Sequence, residues 1–326
     1  MKLQILVPQY KETEEILKPL LDSIEVQQNV DLKRDVGVII VNDGTDVHLS
    51  REFLDKYSFR VDYYLNDHKG VSGTRNACLD HAEAEYVMFC DADDMFYNAC
   101  GLYIIFREME NGGFDSLSST FIEESREPKT KTPLYINREM DSTFVHGKVH
   151  RREFLIENDI RWNTNLTIHE DSYFNCLCQR LAKELKYSHT SFYLWRWRDD
   201  SVCRRDPKYI LKTYNNMLDS NDALIDQFLR RGRMSDAQFY AVNMIYDAYF
   251  TMNKDEWLNQ ENHDYRRATE LRFRDYWKKY KHLHDYTSQD IKAQIIMGVK
   301  NRMYAEGMIL ETVTFNEWIK QVEVLK

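Results

Sequence analysis

The stretch Val36-Gly37-Val38-Ile39-Ile40-Val41 carries no polar side chain. A strand with one face in water alternates apolar and polar residues, so a continuous β-branched run belongs to a strand covered on both faces. Leu3–Val7, Arg60–Leu65 and Glu85–Cys90 read as further strands. Between them, Glu12–Val26 sets Ile16, Leu17, Leu20, Leu21 and Ile24 on one helical face, and Val71–Ala84 reads as a second helix. Strand–helix alternation with apolar strands predicts an α/β fold with a Rossmann-like, mostly parallel sheet flanked by helices. Ligands of such sheets bind beyond the carboxyl ends of the strands. Pro8, Asp43, Asn66 and Asp91 all fall just past expected strand ends, so one crevice should collect them.

Residues 114–198 mix patterns, with a short helix expected over Arg151–Asn158, a longer one over Glu170–Leu185 and an aromatic-rich strand over Tyr187–Arg198. After Asp206-Pro207 long helical patterns follow at Leu211–Arg230, Ala237–Met252, Tyr265–Lys281 and Ile291–Met308. The expected division is therefore 1–205, with halves 1–100 and 101–205, followed by a mainly helical region 206–326. Lys and Arg balance Asp and Glu at 18 each after residue 205, so the whole net charge of −9 lies in the first part. That balance argues against a general nucleic-acid coat, which needs a positive field. The cysteines Cys78, Cys90, Cys100, Cys176, Cys178 and Cys203 contain no CxxC pair, which predicts reduced thiols, no zinc site and a cytoplasmic protein. The N-terminal apolar run stops at Pro8, too short for a signal peptide, and no segment approaches the roughly 18 apolar residues that span a bilayer. A membrane-bound acceptor would be reached peripherally.

Several segments carry chemistry. Asp91-Ala92-Asp93-Asp94 follows an apolar strand and offers carboxylates to a hard divalent cation; a solvated acidic loop is the bland alternative. Asn42-Asp43-Gly44 is good turn chemistry, and Asp43 could also face a donor on a nucleobase. Asn66-Asp67-His68-Lys69-Gly70-Val71-Ser72-Gly73-Thr74-Arg75-Asn76 sets glycines, a Lys and an Arg at a helix start, either an anion cradle or an ordinary capped helix.

In order and context, these segments resemble the family 2 glycosyltransferases, which have a GT-A fold. The resemblance covers Ile5-Leu6-Val7-Pro8-Gln9-Tyr10, Val41-Asn42-Asp43-Gly44, Lys69-Gly70-Val71-Ser72-Gly73-Thr74-Arg75-Asn76 and Phe89-Cys90-Asp91-Ala92-Asp93-Asp94, with Thr74 where the family usually has Ala. It implies a donor site of Pro8, Tyr10, Asp43, Asn66, Lys69, Gly70, Arg75, Asp91, Ala92 and Asp93, in which Asp91 and Asp93 hold Mn2+ or Mg2+ with the diphosphate. It continues to Ile168-His169-Glu170-Asp171, where family members place a catalytic base, and so implies Asp171 as base with Glu170 orienting the acceptor or a neighbouring Arg. An inverting transfer needs such a carboxylate to take the acceptor hydroxyl's proton; favourable helix-dipole placement is the alternative. His146 either contacts a substrate or is a satisfied structural histidine. Arg198 and Ser201, in a late aromatic–Arg–Ser segment, either close over the diphosphate or belong to an edge strand with snorkelling arginines.

The implied activity is inverting, metal-dependent transfer of a sugar from a nucleotide diphosphate, with UDP as the nucleotide. The acceptor would be a hydroxyl of cell-surface polysaccharide, teichoic acid or glycolipid. A hydroxymethylated base in DNA ranks below these because of the acidic charge. A non-catalytic sugar-nucleotide-binding scaffold and a nucleotidyltransferase are readings of other classes. The C-terminal stretch Arg266–Lys281 interleaves cations with aromatics, which would suit a polyanion, a homo-oligomer contact or, more simply, a solvated amphipathic helix.

Overall fold

The computed structural model describes residues 1–139, 141, 143–199, 201, 209–305 and 313–326. The chain divides into two compact units, Met1–Ser201 and Val202–Lys326. The boundary expected near residue 206 lies outside the described residues, as does Cys203; the five described cysteines are free thiols.

The first unit runs β1 (Leu3–Gln9), α1 (Glu14–Glu25), α2 (Leu32–Asp35), β2 (Val36–Asp43), α3 (Arg51–Leu54), β3 (Arg60–Asn66), α4 (Gly70–His81), β4 (Tyr86–Phe89), β5 (Met95–Phe96) and α5 (Gly101–Glu110). It continues with β6 (Ser116–Arg126), β7 (Pro133–Arg138), β8 (Lys148–Arg151), α6 (Arg152–Glu157), α7 (Glu170–Leu181) and β9 (Leu185–Trp195). Every residue of β2 is buried, as its uninterrupted apolar run requires. On one face of the sheet, Leu17, Leu20, Leu21 and Ile24 of α1 share a core with Ile5, Val38 and Ile40. α4 packs against β1 and β2.

The sheet order is β3-β2-β1-β4-β8-β6-β9-β5, with β7 paired to β6. The first four strands are parallel, as the alternation predicts. β8 then joins β4 antiparallel and brings in β6, so the whole sheet is mixed. β1 lies between β2 and β4, and the chain winds away from it in both directions. The carboxyl ends of β1 and β4 therefore flank a switch point, the usual ligand position in such sheets. Pro8 falls there without cost, because the β1–β4 ladder ends at Leu6 and Phe89.

Two elements end early because distant carboxylates claim their next N–H groups. The helix expected to reach Leu185 ends at Leu181, because the buried Asp115 carboxylate accepts the Lys183 and Glu184 N–H groups. The strand expected to reach Arg198 ends at Trp195. The next two N–H groups leave the ladder for carboxylates, Arg196 to Asp94 at 2.9 Å and Trp197 to Glu124 at 3.0 Å.

The second unit is helical: α8 (Tyr209–Lys212), α9 (Tyr214–Arg230), α10 (Met234–Met252), α11 (Asp255–Leu258), α12 (His263–Tyr286), α13 (Gln289–Ala305) and α14 (Phe315–Glu323). Sequence patterning missed α14, although its capping box Thr314–Glu317 is written in the chain. The basic-aromatic stretch lies within α12. Phe273, Tyr276, Trp277 and Tyr280 are buried. Arg272 pairs with Asp219 and Asp222, Lys279 with Asp222 and Asp226, and Lys281 with Glu323. No helix among the described residues is long and apolar enough to cross a membrane.

Candidate functional site

Asp43 and Asn66 are register partners at the ends of β2 and β3. Gly44 turns the chain there at φ +70°, and a Cβ on it would lie 2.4 Å from the His68 backbone nitrogen. The close approach lets the Asp43 carboxylate, 6% exposed, organise the loop before α4. One oxygen accepts the Lys69 N–H at 2.7 Å, and the other lies 2.9 Å from His68 Nδ1. His68 was not singled out by sequence. Its ring packs on exposed Tyr10 at 5.3 Å, forming an aromatic pair over the same strand ends. Gly70 opens α4 at φ +71°.

The acidic tetrad is a turn rather than an extended strand end, closed by the Asp94 N–H donating to the Asp91 carbonyl at 3.2 Å. A turn brings together residues three apart, so Asp91 clusters with Asp94, and Asp93 looks elsewhere. Asp91, Asp94 and His146 each offer a ligand atom, all within 4.8 Å of one another. Two carboxylates and an imidazole fit a divalent cation. His146 Nδ1 is buried without a hydrogen-bond partner among the described residues and lies 3.7 Å from Asp94. Asp93 faces Arg198 at 3.1 Å, with Glu12 on the same guanidinium at 3.7 Å. Glu12 also accepts the Tyr10 N–H, tying the end of β1 to this cluster. Ala92 is buried, and Ser201 donates its N–H to the Arg198 carbonyl.

Asp94 is buried. It accepts from the Tyr193 hydroxyl at 2.6 Å as well as from Arg196 N–H. Burial, reinforced by Asp93 and Asp91, pushes its carboxyl well above the usual range. Burial and Asp91 likewise raise Asp93, against the opposing charge of Arg198. His146 sits among Phe121, Phe144, Tyr193 and Trp195. Burial lowers its pKa to about 3, so the ring is neutral. Gly147, at φ +65°, follows it against Ser119.

The remaining carboxylates converge on Arg75. Its side chain is 4% exposed, and Nη1 donates to Asp171 at 2.6 Å and Glu170 at 3.1 Å while Nη2 donates to Asp91 at 3.0 Å. The guanidinium stacks on Trp162 at 4.4 Å. Glu170 and Asp171 begin α7, where the helix dipole favours negative charge, and the preceding His169 is left-handed at φ 63°. Burial and the neighbouring Asp171 raise Glu170 to about 7. Burial also raises Asp171, with Arg75 opposing. The second Asp171 oxygen accepts the Val145 N–H at 3.2 Å. The loop bearing Val145 is pinned in turn: Asn175 donates to the Thr143 and Phe144 carbonyls, and the buried Lys148 amine donates to Phe144. Trp162 and Tyr193 left no local signal in the sequence, because their roles arise from contacts made across tens of residues.

A family model described as glycosyl transferase family 2 matches residues 4–178. Among curated relatives, the uncharacterized glycosyltransferase EpsJ of Bacillus subtilis is 26% identical over 61% of this chain and 62% of its own length. Glycosyltransferase GlyA of Streptococcus pneumoniae is 27% identical over 62% of this chain and 32% of its own. The matched region thus spans less than two thirds of either relative. Among solved structures, Staphylococcus aureus TarS 1-349 in complex with UDP-GlcNAc superposes with a TM-score of 0.63 at 17% identity, covering 95% of this chain and 93% of that one. At that identity the likeness establishes the fold.

Proposed function

Because the chain belongs to glycosyl transferase family 2, we propose that it transfers a sugar from a UDP-sugar to a hydroxyl of a cell-surface polymer, with inversion at the anomeric carbon. One observation carries the reading: a single buried guanidinium joins Asp91, on the leaving-group side, to Asp171, on the acceptor side. The shared guanidinium supports reading a proton acceptor and a diphosphate site beside one another.

Asp171 takes the proton of the acceptor hydroxyl as that oxygen bonds to the anomeric carbon. The bond to the diphosphate breaks on the opposite face, and its electron pair leaves with UDP. A carboxylate whose pKa is raised towards neutrality is a stronger base for this step. Asp91 would hold Mn2+ or Mg2+ with Asp94 and His146, whose ligand atoms cluster with its own, and Asp93, paired with Arg198, stands beside them. The charge on the departing diphosphate would be neutralised by a cation held there. Pro8, Tyr10, Asp43, Asn66, Lys69 and Gly70 hold the nucleoside, with His68 beside them. Glu170 orients the acceptor, and Arg198 and Ser201 lie towards the diphosphate. A polymer acceptor of the teichoic acid type is supported by relatives described as a poly(ribitol-phosphate) beta-N-acetylglucosaminyltransferase of S. aureus and a poly(ribitol-phosphate) beta-glucosyltransferase of Bacillus spizizenii. Arg272, Lys279 and Lys281 of α12 are paired with carboxylates, which supports ranking the DNA reading below the polymer.

The test is Asp171→Asn. Calorimetry should show UDP binding with Mn2+ unchanged, and sugar transfer to poly(ribitol phosphate) should fall by about 10²–10⁴-fold. Undiminished transfer in this variant would remove Asp171 as the base.

A further inference from the structure

Asp171 accepts on both oxygens: Arg75 donates to one at 2.6 Å, and the Val145 N–H donates to the other at 3.2 Å. We propose that Lys148 and Asn175 are positioning residues for this carboxylate: they grip the Phe144 carbonyl and so aim the Val145 N–H at Asp171. The proposal rests on the reading of Asp171 as base.

The first argument is the geometry of one peptide unit. The Phe144 carbonyl and the Val145 N–H share a plane and point in opposite directions across a trans bond. Whatever fixes the carbonyl therefore fixes the N–H. Asn175 Nδ2 donates to that carbonyl at 2.9 Å, and the Lys148 amine donates to it as well. The N–H leaves the other edge of the same unit and meets the base.

The second argument is what else holds the segment. Residues 143–147 belong to no helix or strand, so ladder bonds do not set their orientation. Side chains do so instead. The Asp141 carboxylate accepts the Thr143 and Phe144 N–H groups, each at 2.8 Å. Asn175 also donates to the Thr143 carbonyl at 2.8 Å. Phe144 is thus held through both of its backbone groups, directly before the amide that the base uses.

The third argument is where the two grips originate. Asn175 follows Asp171 by four residues on α7, which puts both on one face a single turn apart. The helix that carries the base therefore also carries one grip on its hydrogen-bond donor. Lys148 comes from β8. Asn175 is fully buried and Lys148 is 2% exposed. An ammonium is costly to bury, and packing alone would be served by methionine. The Lys148 amine spends that cost on the loop, reaching the Phe144 carbonyl and lying 3.9 Å from Asp141.

The experiment compares the parent chain with Lys148→Met, Asn175→Leu and Asp171→Asn. The first two keep side-chain bulk, and each leaves the other donor on Phe144. Calorimetry with UDP and Mn2+ counts binding-competent sites. UDP release then gives kcat per site for hydrolysis of whichever of UDP-glucose, UDP-galactose and UDP-GlcNAc the parent turns over fastest. Lys148→Met and Asn175→Leu should bind UDP and keep the donor KM within about threefold of the parent, while kcat falls roughly 10²-fold, the cost expected of a misplaced reacting group. Amide hydrogen exchange reads the loop without turnover. Exchange over residues 143–146 should rise in both variants, while β8 and α7 keep their parent rates. Parent-like kcat in either variant overturns the assignment of that residue, and beside an inactive Asp171→Asn it leaves the base reading standing. Faster exchange spread equally through β8 and α7 would mark a merely structural role and overturn the proposal. Normal turnover in Asp171→Asn would instead sink the base reading. The unmodified chain supplies a check that needs no variant to fold: its Val145 amide should be protected, and free exchange there would refute the proposal.

Discussion

The Tyr193 hydroxyl donates to Asp94 at 2.6 Å and accepts the Asp91 N–H at 3.2 Å, so one phenol spans the acidic turn. Phenylalanine keeps the ring and its packing on His146 but leaves a buried carboxyl oxygen and a backbone N–H unpaired. Tyr193→Phe should therefore lower the stability of the first unit by about 1–3 kcal/mol, read as a shifted urea midpoint. It should also weaken Mn2+-dependent UDP binding, because the turn that presents Asp91 and Asp94 loses its brace. An unchanged midpoint and affinity would show that the turn holds without it. Tyr193 illustrates what sequence could reveal at this scale. Asp91, Asp43, Arg75 and Asp171 were legible because each lies in a short motif at the end of a recognisable strand or the start of a helix. The direction of the Arg75 donors was not, since its partners lie 16, 95 and 96 residues away. Nor was the replacement of Asp93 by Asp94 beside Asp91. The spacing of alternate carboxylates suggests an extended strand end, whereas the chain makes a turn there.

Elements follow the same division. β2 and α1 were legible because an uninterrupted apolar run specifies the one and helical apolar spacing the other. Where α7 and β9 end was not, because Asp115, Asp94 and Glu124 compete for the next N–H groups from far along the chain. β2 has a sharper requirement at its carboxyl end. The strand delivers Asp43 to the loop before α4 only because Gly44 adopts φ +70° and lets the His68 backbone approach. Gly44→Ala introduces a Cβ against backbone, in a conformation that L residues disfavour. Relief requires moving the 67–69 loop away from Asp43. The expected outcome is a loss of about 1–3 kcal/mol in stability and roughly tenfold weaker UDP binding, equivalent to about 1.4 kcal/mol. Calorimetry and thermal unfolding on the same sample check both. Lower stability with unaltered UDP affinity would separate this loop from the nucleoside site.

At the scale of the molecule, the acidity visible in composition becomes a set of buried groups that respond to pH in opposite directions. His146 and His150 are buried, and burial lowers each to about 3, with the Lys148 charge adding to the effect at both. Their folded pKa lies below the ordinary value of 6.5. The stability they contribute is therefore complete above pH 6.5 and is lost as pH falls towards 3. Glu170 runs the other way. Raised from 4.5 to about 7, it contributes fully below pH 4.5 and loses that contribution as pH rises through 7. The raised Asp93, Asp94 and Asp171 act in the same sense as Glu170. The total pH profile mixes these contributions, so a single substitution is more informative than the parent curve. His150 suits the purpose. It is 1% exposed, lies outside the acidic cluster, and bonds Ser116 Oγ through Nδ1 at 3.0 Å. Glutamine can keep a hydrogen bond to that hydroxyl and cannot titrate. Above pH 6.5 the stability difference between parent and His150→Gln should be constant. Below it, the parent should lose ground to the variant by up to about 1.4 kcal/mol per pH unit, the value for one proton taken up only on unfolding. Urea unfolding of the first unit between pH 4.5 and 7.5 measures that difference directly. A flat difference across the range would mean that His150 gains its proton in the folded chain, contrary to its burial.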